Sequence, residues 1–257
     1  SDPLKPNRNP VILIPGITAT YLNRNYGDMD EIWPNLGGLL LSPNDEFLND
    51  LILNEDGTEK IEYPIVAGGI IRKMVTVDVF DGLIKEFENA GYVEGEDLFV
   101  FPYDWRFSTE STSKLLKEKI DEVLSKTNQE KVDIVAHSMG GLVVKKYIAD
   151  NGGESIDQLI FLGTPQLGAP KAFKVLMYGD HMGYWKLFLG LNNLRVKIIS
   201  QNMPSVYELL PSKKYLNLNG NYVANLLDEN NPIYLDYEST KSFLIDNGRN
   251  ARMFPFA

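Results

Sequence analysis

The chain of 257 residues contains no cysteine. Disulfides, thiolate zinc sites, iron–sulfur clusters and a cysteine nucleophile are thereby excluded, and the redox compartment is left open. Histidine is nearly as scarce: His137 and His181 are the two in the sequence, too few for a multi-histidine metal site. No metal and no organic cofactor is expected. Positive charge is also short, with 25 Lys and Arg against 35 Asp and Glu and a net charge of −10. That sign is wrong for a surface that tracks phosphates, so a nucleic-acid partner is not expected. It also disfavours charge-driven attraction to anionic membranes, while apolar docking on a lipid surface stays open. No stretch approaches the roughly 18 consecutive apolar residues of a spanning helix. Ser1-Asp2-Pro3 begins without the apolar core of a signal peptide. A soluble chain is expected, with compartment and oligomeric state undetermined.

What is present is ordinary for a globular protein: 44% hydrophobic and 23% charged residues. There is no internal repeat and no linker-like composition, so residues 1–257 read as one domain. Four short apolar runs are each stopped by a turn signal: Val11–Ile14 before Pro15-Gly16, Leu98–Phe101 before Pro102, Val132–Ala136 before His137-Ser138, and Gln158–Leu162 before Gly163. Such runs read as strands buried on both faces, the mark of a parallel sheet. Helical stripes lie between them at Leu83, Ile84, Phe87 and Ala90; at Leu115, Leu116, Ile120, Val123 and Leu124; and at Leu142, Val143, Tyr147 and Ile148. Gly91 and Gly152-Gly153 supply stops. The alternation predicts βαβ units and an α/β class with a mostly parallel sheet. Residues 19–75 and 165–220 read as insertions, leaving a core of about 9–18, 76–164 and 221–257, the last stretch as one or two helices.

Ala136-His137-Ser138-Met139-Gly140-Gly141 lies between a strand and a helix and fits the nucleophile elbow, with Ala in the first small position. The chain must turn sharply there, exposing the Ser138 hydroxyl on a strained backbone. Small residues on either side keep strand and helix from colliding. The following helix directs backbone N–H groups and positive dipole toward Ser138. The Met139 N–H is the natural first oxyanion donor, and the Ile17 N–H, in the loop after the first strand, the second. A plain helix cap at Ser138 would need no glycines in the first turn. His137 is adjacent to Ser138, but successive side chains diverge at such a turn, so it reads as a packing residue under the elbow.

These residues, together with Phe101-Pro102-Tyr103-Asp104-Trp105-Arg106 and Leu162-Gly163-Thr164-Pro165 followed by Gly168-Ala169-Pro170, resemble the lecithin:cholesterol acyltransferase family. That family includes lysosomal phospholipase A and bacterial relatives. Glu31-Ile32-Trp33-Pro34-Asn35-Leu36 resembles its Trp-containing segment. The resemblance implies an α/β-hydrolase fold with a cap-like insertion at about 19–75 and a lid at about 165–220. It implies serine esterase chemistry on acyl-lipid esters, of phospholipase A, lipase or O-acyltransferase type. Ser138 would be the nucleophile, Ile17 and Met139 the oxyanion donors, and Trp33 would line the acyl or leaving-group side or else be an ordinary packed surface aromatic. Tyr103-Asp104-Trp105-Arg106 reads as scaffold that ties down its loop.

The pattern breaks beyond the lid. The fold orders its triad Ser, Asp, His, each of the last two after a further strand. Past residue 220 the sequence offers neither those strands nor an acid loop, so the family's Asp and His have no counterpart. Three explanations compete: a piece of a longer enzyme, an inactive hydrolase-like lipid-binding or interaction module, or His181 acting as base with Asp180 or Asp157. A mobile lid is a poor place to hold a base in reach of Ser138. The crowding of apolar side chains at 175–191, with Gly179, Gly183 and Gly190 as hinges, suits a flap over an apolar pocket, or cap core packed on itself.

Overall fold

A computed structural model describes residues 8–26, 28–60, 62, 64–180, 191–225 and 232–254. In chain order the strands are β1 (Val11–Ile14), β2 (Thr20–Tyr26), β3 (Asp28–Trp33), β4 (Ile65–Ile70), β5 (Lys73–Met74), β6 (Val77–Asp78), β7 (Leu98–Val100), β8 (Val132–His137), β9 (Ile156–Leu162), β10 (Val223–Asn225) and β11 (Ile233–Leu235). The helices are α1 (Leu36–Leu41), α2 (Asp81–Asn89), α3 (Thr109–Thr127), α4 (Gly140–Asn151), α5 (Lys171–Tyr178), α6 (Asn193–Ser200), α7 (Pro204–Glu208), α8 (Lys213–Asn219) and α9 (Tyr237–Asp246). Two compact units result: residues 1–21, 67–105 and 109–164 in the first, and 22–66, 106–108 and 165–257 in the second.

The first unit is built on a parallel sheet in the order β7-β1-β8-β9. β1 is fully apolar and every residue of it is buried, as its place between two neighbours requires. Its register sets Val11 beside Leu98 and Asp133, and Ile14 beside Ala136, so β1 and β8 end at the same level. One core gathers Val11, Leu13 and Val135 from the sheet with Phe80 and Ile84 around α2. Each such side chain, once buried, contributes about 1.5–3 kcal/mol. α2 stops at Gly91, whose φ of 87° only glycine adopts readily. α3 buries Leu116, Ile120 and Val123 and packs against α4, which buries Val143, Val144 and Tyr147. This is the α/β class that the alternation predicts and the α/β-hydrolase arrangement that the resemblance implies.

Two expectations need correction here. Among the described residues β9 is the last strand of the sheet, paired with β8 on one side, and is not buried on both faces: Ile160, Phe161 and Leu162 are 49%, 38% and 37% exposed. Leu115 is 51% exposed and stands off the α3 stripe, because Leu116, Ile120 and Val123 define the packed face.

In the second unit β2 and β3 form an antiparallel hairpin with Leu22 opposite Trp33. Arg24 holds this hairpin by ion pairs to Asp30 at 2.6 Å and Asp50 at 2.5 Å. Arg106, 1% exposed, pairs with Glu59 at 3.1 Å, consistent with its expected role as scaffold. The stretch after 220 is not simply helical: Val223–Asn225 pairs antiparallel with Ile233–Leu235, and α9 follows, capped by the Asp236 carboxylate accepting from the Ser239 N–H at 2.8 Å. Tyr222, Leu226 and Leu227 mimic a helical spacing, and a three-residue strand is too short to show its own period. Among the described residues no helix is long and apolar enough to cross a membrane.

Candidate active site

Ser138 sits where β8 ends and α4 begins, with a φ of 52°, the left-handed region that L-residues avoid. Holding a non-glycine there costs roughly 1–2 kcal/mol. The Ser138 N–H is fixed by donating to the Leu162 carbonyl at 2.9 Å, and its own carbonyl accepts from Gly141 at 3.1 Å. Glycines make the junction possible. A methyl on Gly140 would lie 2.5 Å from the Pro15 carbonyl oxygen and 2.8 Å from Ile14 Cγ2. One on Gly141 would collide with Thr164 Oγ1 and stand 2.6 Å from its Cγ2; one on Gly16 would lie 2.8 Å from Ser138 Cβ. The loop after β1, the elbow and the turn after β9 therefore meet at van der Waals distance with no room for a side chain. Among the described residues, Thr164 Oγ1 is buried there without a hydrogen-bond partner.

Among the described residues, neither the Ile17 nor the Met139 N–H donates a hydrogen bond. Both are spare donors, Ile17 directly after Gly16 and Met139 directly after Ser138 in the sequence. The Ile17 loop is clamped from below. Tyr103, 1% exposed, donates its phenol to the Pro15 carbonyl at 2.8 Å, and Trp105 Nε1 donates to the Thr20 carbonyl at 3.2 Å. Burial pushes the Tyr103 phenol far above its ordinary pKa, so it remains a donor. The expected scaffold role of this segment is thus seen in its hydrogen bonds; that it grips the Pro15 loop was hidden by the 88 residues separating donor from acceptor. Tyr103→Phe leaves a buried carbonyl unpaired and is expected to cost about 1–3 kcal/mol of stability, read from the denaturant midpoint.

His137 is not packed beneath the elbow. Its ring is partly exposed, meets Phe80 edge-on at 5.9 Å, and holds Nδ1 3.1 Å from where a Gly16 methyl would be. Loss of hydration holds the imidazole below its ordinary pKa. As pH falls, the unfolded chain takes up that proton first, so the stability is complete above about pH 6.5 and declines below it. His137→Gln should reduce the difference in thermal midpoint between pH values of about 7.5 and 5.5; an unchanged difference would contradict this.

The other expected site residues are not brought to Ser138 by what is described. His181 lies outside the described residues, as does most of the 175–191 stretch; Leu176 and Met177 of α5 are buried. Asp157 is engaged by Asn9 at 3.0 Å and Lys131 at 3.6 Å. Trp33 belongs to the second unit, where it is 5% exposed at the end of β3 rather than a surface aromatic.

Comparisons with known proteins follow the same line. The family model for lecithin:cholesterol acyltransferase matches residues 55–253. "Lecithin-cholesterol acyltransferase-like 4" of Arabidopsis thaliana is 25% identical over 80% of this chain and 43% of its own. Phosphatidylcholine-sterol acyltransferase of Gallus gallus is 32% identical over 39% of this chain and 26% of its own. This chain therefore spans less than half the length of either relative. Among solved structures, the Tle4–Tli4 complex is similar at a TM-score of 0.54 and 19% identity, over 84% of this chain and 56% of that one, a likeness of fold alone.

Proposed function

The chain belongs to the lecithin:cholesterol acyltransferase family, and on that premise we propose that it acts on acyl-lipid esters through an acyl-enzyme on Ser138. The observation that carries this reading is the left-handed backbone of Ser138 at a strand–helix junction sealed by Gly16, Gly140 and Gly141. In the reaction, Ser138 Oγ attacks the ester carbonyl and gives its proton to a histidine. The carbonyl oxygen turns negative and accepts from the Met139 and Ile17 N–H groups, each worth about 3–4 kcal/mol in such a site. Collapse of the intermediate expels the alcohol, which takes the proton back. Water then yields a free acid, or a second alcohol takes the acyl group. Within this sequence His181 is the candidate for the base.

Phosphatidylcholine vesicles with and without an added long-chain alcohol test this reading. Fatty acid release, or transfer to the alcohol, is expected to stop when a fluorophosphonate has labelled Ser138. Release that continues after stoichiometric labelling, or label found elsewhere, would overturn it.

A further inference from the structure

Three helices run out at the same dipeptide: α4 at Asn151-Gly152, α8 at Asn219-Gly220 and α9 at Asn247-Gly248. Asn-Gly is the pair most prone to deamidation, because glycine carries no side chain to hinder attack by its own backbone nitrogen. In that reaction the glycine nitrogen bonds to the asparagine Cγ and gives its proton to water. The Cγ–Nδ2 bond breaks, ammonia leaves, and a cyclic imide remains. Water then adds to either imide carbonyl and breaks its C–N bond, giving aspartate or isoaspartate.

The fold restrains the reacting groups at each pair. The Gly152 N–H donates to the Ile148 carbonyl at 2.9 Å, Gly220 to Leu216 at 2.8 Å and Gly248 to Ile245 at 2.9 Å. Each asparagine amide donates to the carbonyl four residues back, at 3.0, 3.1 and 2.8 Å in chain order. Attack therefore waits for the last turn to open, and its rate follows the local opening equilibrium.

The three turns are not held alike. Asn151 ends a helix of 12 residues that packs on α3, and its acceptor carbonyl belongs to the buried Tyr147. After Asn247 the chain is tied down at once. Arg249 N–H donates back to the Leu244 carbonyl at 2.9 Å, and Asn250 N–H donates to the Tyr207 hydroxyl at 3.0 Å. α8 has 7 residues, of which Leu216 alone is buried, and residues 217–220 are all exposed. Ser212 caps its start by accepting from the Tyr215 N–H at 3.2 Å, so opening begins at the other end. Past Gly220, the Asn221 amide reaches the Tyr234 carbonyl only at 3.4 Å.

From this contrast we infer that Asn219 is a modification site: the last turn of α8 opens in the native protein, and Asn219 deamidates there ahead of Asn151 and Asn247. The product sets a carboxylate at a helix C-terminus, against the dipole, and loosens the turn further. The site is independent of the chemistry at Ser138.

Incubation of the whole chain in mildly alkaline buffer, with and without denaturing urea, followed by peptide mapping for the amide-to-acid mass gain, tests it. In urea all three pairs should convert at similar rates. In the folded chain Asn219 should convert within about 10-fold of its urea rate, while Asn151 and Asn247 lag by about 100-fold or more. Leu216→Ala, checked by thermal midpoint to be folded, removes the buried anchor of α8. It should speed Asn219 about 10-fold and leave Asn151 unchanged. Conversion of Asn151 or Asn247 as fast as Asn219 in the folded parent chain, or an unaltered Asn219 rate in Leu216→Ala, would each overturn the inference.

Discussion

Replacing Ser138 by alanine is expected to lower ester turnover by about 10⁴- to 10⁶-fold, the loss seen when a serine nucleophile acting with its base is removed. Stability should barely change, because alanine inherits the 52° φ and its strain. Ser138→Gly separates the two contributions. It removes the same hydroxyl, so activity is lost equally, but glycine enters the left-handed region freely and should gain about 1 kcal/mol in stability. A chain that is more stable and inactive in the glycine variant has its serine held in strain for a chemical purpose. If Ser138→Gly is instead neutral or destabilising, the backbone there is not strained and the elbow argument fails.

Gly140→Ala is expected to cost about 3 kcal/mol, the upper part of the usual range for overpacking, and to abolish activity even in the folded fraction. The added methyl meets the Pro15 carbonyl oxygen at 2.5 Å and the Ile14 carbonyl oxygen at 2.9 Å, and backbone atoms cannot rotate away. Relief requires the loop after β1 to move, and that loop carries the Ile17 N–H. Gly141→Ala differs in kind: its methyl meets Thr164 side-chain atoms, with Cγ2 at 2.6 Å and Cβ at 2.8 Å. Adding Thr164→Ala should therefore restore part of the stability lost in Gly141→Ala and none of that lost in Gly140→Ala. Equal rescue of both, measured by denaturant midpoints, would mean that the contacts at the junction are not as described.

Ser138, its glycines and the four parallel strands were legible because each rests on local chemistry. An apolar run stopped by Pro or Gly marks a strand, and only small residues tolerate a strand–helix elbow. The clamp of Tyr103 on Pro15 was not legible, since it joins positions made neighbours only by the pairing of β7 with β1. The β2–β3 hairpin was hidden for another reason: Thr20–Tyr26 mixes Asn and Arg with its aromatics, and its Arg24 is neutralised by Asp30 and Asp50 rather than by solvent. Strand β9 misled because its apolar run matches a covered strand, and sequence composition does not say which strand ends the sheet. His137 misled because its divergence from Ser138 was read as packing under the elbow; its ring instead meets Phe80 edge-on at 5.9 Å while the residue stays exposed.

The central claim is that an acyl group resides on Ser138 during turnover. Intact-protein mass spectrometry during reaction with nitrophenyl butyrate, followed by peptide mapping, reads this directly. A mass increase of one butyryl group on the peptide bearing Ser138, lost in Ser138→Ala, is the expected result. Ester turnover that persists in Ser138→Ala, or acylation found only on another residue, would contradict the account.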